Sequence, residues 1–218
     1  MPSTQKRRPP TRDLARTRAE ILAAAFPLVL KHGFQGVSID DVVARTRHTK
    51  GALFHQFPTK LDLGYALVDE VVRPLIKERW IAPLESYDNP LEGMLHQMET
   101  LIGGSTPETL KLGCPLNNLV QEMAPLDAGF RTRLQAALDL WVGETEKHLK
   151  RAQEKGYLKA SIDTHAAAYF IVMAHEGFYG MLKGLGKRDA FAALFASFKS
   201  YFQAISNQEP VLPVEMTA

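Results

Sequence analysis

Apolar and polar positions alternate along this chain with a helical period almost throughout. Between residues 13 and 32, Ile21, Ala25, Leu28 and Val29 form one stripe of a 3.6-residue period and predict a helix. Pro27 falls inside it. Proline costs roughly 3 kcal/mol in a helix interior, so a kink or strong tertiary compensation is expected there. His32-Gly33 reads as a helix stop, because glycine takes the left-handed cap conformation without strain. Ser38 is a good N-cap, Asp41 suits the N-terminal turn, and Ile39, Val42 and Val43 face inward from a short helix over 39–45. Residues 46–48 make a tight turn. Thr49 caps another short helix over 50–56, and Phe57-Pro58 ends it. Thr59 caps a longer helix over 60–80.

The rest continues in the same way. Residues 83–90 read as a loop, followed by helices over 90–102, 107–112 and 115–124, separated by Gly103-Gly104-Ser105 and Gly113. A long helix spans 127–155 and stops at Gly156. A largely apolar one spans 164–182. The last, over 188–206, carries the aromatic stripe Phe191, Phe195, Phe198 and Phe202. There is no sustained period-2 alternation, so the expected fold is all-α. Four parts are expected: a flexible basic arm (1–12), a small helical domain (13–60), a larger helical body (61–206) and a flexible tail (207–218).

Charge changes this picture. The net charge is only +2, but residues 1–60 carry +7 and the remainder −5. A basic end on an acidic body suits contact with a polyanion. One cysteine, Cys114, excludes an intrachain disulfide and fits a reducing, cytoplasmic setting. No apolar run is long enough for a membrane span, and the basic N-terminus lacks the apolar core of a secretory signal.

Two short helices joined by a three-residue turn, at 38–57, have the size of a helix-turn-helix whose second helix fits a major groove about 12 Å wide. The run Ser38-Ile-Asp-Asp-Val-Val-Ala-Arg-Thr-Arg-His-Thr-Lys-Gly-Ala-Leu-Phe-His-Gln-Phe-Pro-Thr-Lys60, preceded by Gly33-Phe34-Gln35-Gly36-Val37, resembles the signature of the tetracycline-repressor (TetR) family. The resemblance covers residues 14–75 and, beyond them, helix count and order. It implies an N-terminal three-helix DNA-binding domain and a C-terminal ligand-binding and dimerisation domain. Carried over by position, it places Thr49, Lys50 and Ala52 in the groove. Ser38, Phe54, His55 and Lys60 fall near the DNA backbone. Phe54 stands where the family usually has a phosphate-binding tyrosine, so that hydroxyl is missing. Arg47 and His48 replace the usual glycine and valine of the turn. Arg47 adds a possible phosphate contact and demands either a left-handed arginine or a shifted turn.

The resemblance also implies a regulator, expected to be a repressor, released from a palindromic operator by a small-molecule effector and acting as a homodimer. The expected ligand contacts are Met98, Cys114, Asn117, Gln121, Trp141, His175 and Phe178. Cys114 opens a helix, where the dipole lowers a thiol pKa, so a thiol-based electrophile or redox sensor is one alternative. A ligand-independent architectural or adaptor protein is another. No Gly-rich phosphate loop follows a strand. His48, His55, His96, His148, His165 and His175 sit apart, without metal-ligand spacing. No enzyme activity, cofactor or metal is expected. The helices at 127–155 and 164–182, rich in Trp141, Tyr169, Phe170, Ile171, Met173 and Phe178, are the expected dimer surface.

Overall fold

The computed structural model describes residues 11–186 and 189–207. Every major element among them is helical, and the sole strand-like feature is an isolated bridge between Leu158 and Ser206. Residues 1–10 of the expected arm, with Arg7 and Arg8, and the tail beyond residue 207 lie outside the described residues; Thr11 and Arg12, expected in the arm, begin the first helix.

Helix α1 (Thr11–His32) runs through Pro27 without a break. The compensation is tertiary: Ile21, Leu22, Ala25 and Val29 are all buried. Gly33, at φ +78°, closes the helix by donating its N–H to Val29 O at 2.9 Å. Ser38 caps α2 (Ile39–Val43) through a reciprocal capping box with Asp41. Thr49 caps α3 (Lys50–Gln56), its Oγ1 accepting from Ala52 N at 3.2 Å. Thr59 and Asp62 form a second capping box at the start of α4 (Lys60–Leu67).

The helix expected over 60–80 changes pitch along its length. A π-helical turn (Val68–Val72) follows α4, then α5 (Arg73–Ile76), a second π turn (Lys77–Ile81) and a 3-10 turn (Ala82–Ser86). Pro74, with no N–H to donate, stands just after the first wide turn, where a regular ladder would lack one bond. The loop expected over 83–90 is thereby reduced to residues 87–89. Next come α6 (Pro90–Met98), a π turn (Glu99–Gly103), α7 (Pro107–Leu112), α8 (Pro115–Met123), α9 (Ala128–Glu154), α10 (Thr164–Leu185) and α11 (Asp189–Ile205).

The described chain forms two compact units. The first comprises the residues up to Val72 together with Asn118–Leu134; the second comprises Arg73–Asn117 and the residues from Gln135 onward. In the first, Phe130 packs edge-on against Phe34 and Tyr65, with ring centroids 4.8 and 5.3 Å away. Gly64 permits this: a Cβ there would lie 2.4 Å from Phe130 and 2.5 Å from Phe34. Glu122 of α8 accepts from the backbone N–H groups of Phe34 and Gln35, both at 2.8 Å, and so holds the turn between α1 and α2. In the second unit the core is built from α6, α9, α10 and α11, with Leu91, Leu149, Ala168 and Phe202 almost fully buried.

Candidate functional site

The first unit presents the start of α3 to solvent. Thr49, Lys50, Gly51, Phe54 and His55 are exposed, while Leu53 and Phe57 anchor the helix in the core. Ala52 is half-buried. The Lys50 ammonium pairs with Asp40 of α2 at 2.8 Å. A side chain at Gly51 would meet only Thr49 Oγ1, at 3.8 Å. Nothing in the fold therefore requires glycine there, although it weakens the helix relative to alanine. Phe54 is 40% exposed, a large apolar ring in water beside the cationic rim. Lys60 donates to Gln35 O at 3.2 Å and stands over the Phe34 ring. Ser38 has its hydroxyl engaged with Asp41 at 2.6 Å.

The turn between α2 and α3 takes the shifted geometry. No residue other than glycine has a positive φ among the described residues, so Arg47 is not left-handed. Thr46 ties the turn instead: its Oγ1 donates to Val43 O and accepts from His48 N, both at 3.1 Å. Arg47 Nη2 lies 2.7 Å from Glu20 Oε1, His48 Nε2 lies 2.7 Å from Glu20 Oε2, and Arg16 Nε lies 2.8 Å from Glu20 Oε1. Hydrogen bonds from Arg16 and His48, and the charge of Arg47, hold the Glu20 carboxyl down at about 2. One carboxylate of α1 thus gathers three basic groups beside the start of α3.

Sequence reasoning missed Glu20 and also Arg18. Arg18 Nη1 donates to Gln56 O at 3.1 Å, its Nε and Nη2 engage Glu70, and its guanidinium lies 4.4 Å from the centre of the Phe57 ring. It satisfies a carbonyl at the C-terminal end of α3 and fixes that end against α1. The available signal was spacing: Arg16 and Glu20 lie one turn apart on α1, but the partners of Arg18, and Arg47 and His48 at Glu20, are distant in sequence.

The second unit holds a narrow, partly open cavity of about 30 Å³. Trp80 and Leu84 form one wall, and Met94, Gln97 and Met98 of α6 another. Trp141 and Thr145 of α9, Ile171, Val172 and His175 of α10, and Phe198 of α11 complete it. His175 is 2% exposed; its ring meets Trp80 edge-on at 4.2 Å and Trp141 at 4.6 Å. Gln97 is 6% exposed. Gln97 Nε2 and His175 Nε2 are buried without a hydrogen-bond partner, a costly arrangement unless something in the cavity answers them.

Three of the expected ligand contacts, Met98, Trp141 and His175, line this cavity. Cys114, Asn117, Gln121 and Phe178 do not. Gln121 is exposed on α8 because the residues turned inward there are Leu116, Leu119 and Met123. Asn117 Nδ2 donates to Glu176 O at 2.9 Å and so docks α8 on α10. Phe178 is 4% exposed and packs against Phe191. Cys114 Sγ donates to Glu176 Oε1 at 3.1 Å. Burial, and then the Glu176 charge, push the thiol pKa well up, against the lowering expected at a helix start. Sequence reasoning missed Trp80, Gln97 and Thr145, which reach the cavity only through long-range packing. Among the described residues no three His, Cys, Asp or Glu side chains gather as a metal site, and no helix is long and apolar enough to cross a membrane.

Comparison with known proteins agrees with this geometry. Residues 21–67 match the family described as bacterial regulatory proteins, tetR family, and residues 90–198 match the tetracyclin repressor-like C-terminal domain. An HTH-type transcriptional regulator from the lacX 3′ region of Lactococcus lactis subsp. lactis is 29% identical over 123 residues, 56% of this chain. The match spans 63% of that relative's own length. The transcriptional regulator AcuR of Cereibacter sphaeroides is 27% identical over 165 residues, covering 76% of this chain and 75% of that protein. A TetR-family regulator from Cytophaga hutchinsonii shares the fold with a TM-score of 0.81 at 20% identity, over 90% of this chain and 98% of the other.

Proposed function

The chain belongs to the tetracycline-repressor (TetR) family of DNA-binding transcriptional regulators, and from that premise we propose that it is a cytoplasmic homodimeric repressor, released from a palindromic operator by a small molecule held in the second unit. The observation that carries this reading is the start of α3: Thr49, Lys50 and Gly51 are exposed on a helix braced from behind by Leu53, Phe57 and Arg18. Lys50, His55 and Lys60 supply phosphate contacts, with Arg47 joining them when it leaves Glu20. Ser38 acts by holding the start of α2, since both its hydroxyl and its N–H are used in the cap. Thr49 and Ala52 face base edges.

The cavity favours a ligand-responsive regulator over an architectural protein, because two buried nitrogens there lack partners. A thiol sensor at Cys114 is disfavoured by burial and by the neighbouring Glu176. Selecting bound sequences from a random DNA pool, then screening small molecules for release of the selected duplex, tests the proposal. Enrichment of a palindrome that an effector releases supports it. Binding with no sequence preference overturns it.

A further inference from the structure

The cavity offers two unpartnered nitrogens of opposite character, and from them we infer the class of its ligand: a small uncharged molecule with a hydroxyl group on an apolar body, an alcohol or a phenol. This rests on the reading of the cavity as the effector site.

His175 Nδ1 lies 3.3 Å from Glu176 Oε1, which also accepts the Cys114 S–H at 3.1 Å. A carboxylate only accepts, so a ring proton belongs on Nδ1, and with one proton on the ring Nε2 meets the cavity as a lone pair. Gln97 Nε2 is the reverse, an amide N–H₂ seeking an acceptor. One hydroxyl answers both, donating to His175 and accepting from Gln97. An ether or carbonyl only accepts and would set its lone pairs against that of His175. An anion would enter walls that contain no Lys or Arg, with the Glu176 carboxyl group directly behind His175. A cation would find no carboxylate in the lining. Apart from the Thr145 hydroxyl, the remaining walls are indoles, the Phe198 ring, thioethers and aliphatic carbons, suited to an apolar body.

Trp80 and Trp141 are the only two tryptophans, and both line the cavity, so indole fluorescence of the full-length protein reads occupancy directly. The probes are phenol, anisole, benzoate and toluene. Phenol is expected to bind ~10- to 100-fold more tightly than anisole, the cost of leaving a buried polar group unanswered, with benzoate weaker still. In His175→Phe the phenol-to-anisole ratio should fall to within about twofold while toluene still binds; Gln97→Leu gives an independent version of the same test. Anisole or benzoate binding as tightly as phenol overturns the hydroxyl assignment and leaves the effector site standing. No fluorescence change with any probe overturns both.

Discussion

The guanidinium of Arg18 grips Glu70 through two nitrogens, the shortest contact being 2.6 Å, while its third nitrogen donates to the carbonyl oxygen of Gln56. Helix α1, the end of α3 and the π turn after α4 therefore meet at one side chain within the first unit. Replacing Arg18 with alanine should cost about 1–2 kcal/mol of stability, because it removes a carbonyl cap and a partly exposed ion pair. It should weaken specific DNA binding more than non-specific binding, since α3 loses its orientation. Arg18→Lys should not restore the loss, because an ammonium cannot reproduce the forked geometry. Denaturant titration and paired measurements on operator and random DNA check this. Equal losses on both DNAs would remove Arg18 as an orienting residue.

Gly51 separates the needs of the fold from those of DNA. Its Cβ position is open, so Gly51→Ala should stabilise the protein by about 0.5–1 kcal/mol through helix propensity. The same methyl group would stand where DNA approaches the backbone of α3, and operator affinity should fall about tenfold, or ~1.4 kcal/mol. A variant that is more stable and binds unchanged would show that the start of α3 does not touch DNA closely.

Glu20 competes with phosphate for Arg16, Arg47 and His48. Glu20→Gln should tighten binding to all DNA sequences and steepen the salt dependence by about one unit of slope. Acid stability has a defined sign. The folded carboxyl sits at about 2, below its ordinary value. Its contribution to folding is therefore complete above the ordinary carboxylate range and is lost as pH falls towards 2. Glu20→Gln should flatten the stability–pH curve in that window. A curve of unchanged shape would count against the cluster.

Cys114 should behave as a structural thiol. It is 8% exposed, bonded to Glu176 and held protonated by burial, so alkylation of the native protein should be slow and should accelerate on unfolding. Cys114→Ser should leave a folded, DNA-binding protein. A native thiol that reacts as fast as the unfolded one would return the electrophile-sensor reading to consideration.

Helix ends were legible in the sequence because they are local. Ser38, Thr49 and Thr59 cap where their neighbours require it, and Gly33 closes α1. The two short helices and their turn were legible for the same reason, as a contiguous motif of fixed spacing. The π turns around Pro74 were not, because a change in hydrogen-bond register leaves the apolar stripe almost intact. The cavity was half-legible. Trp141 and His175 stood out as bulky or polar interruptions of apolar helices, whereas Gln97 looks like any solvated amide until α9 and α10 close over it. Gln121 failed in the opposite direction: its amide shares a helix with buried residues but points to water. Of the residues expected on the dimer surface, Trp141, Ile171 and Phe178 are buried, whereas Met173 is 62% exposed.

That exposure bears on assembly. The outward face of α9 carries Arg131, Gln135, Asp139, Lys147 and Lys150, too hydrated for an obligate interface. On α10, by contrast, Tyr169, Met173, Met181 and Leu185 are exposed, and Gly177 and Gly184 lie among them with open space at their Cβ positions. Helix α11 turns Ala192, Ala193 and Ala196 to solvent while burying Phe195, Phe198 and Phe202 in its own subunit. Large apolar side chains beside small ones let two helices approach closely, so α10 and α11 from each of two copies make a better four-helix interface than α9 and α10. Met173→Glu and Tyr169→Lys should give folded monomers with weak operator binding, because one recognition helix reads a single half-site. Phe178→Glu should instead destabilise the fold, since it places a charge in the buried contact with Phe191. Light scattering at micromolar concentration, with circular dichroism to confirm folding, separates these outcomes. A wild-type monomer, or a Met173→Glu protein that remains dimeric, would refute the α10–α11 interface.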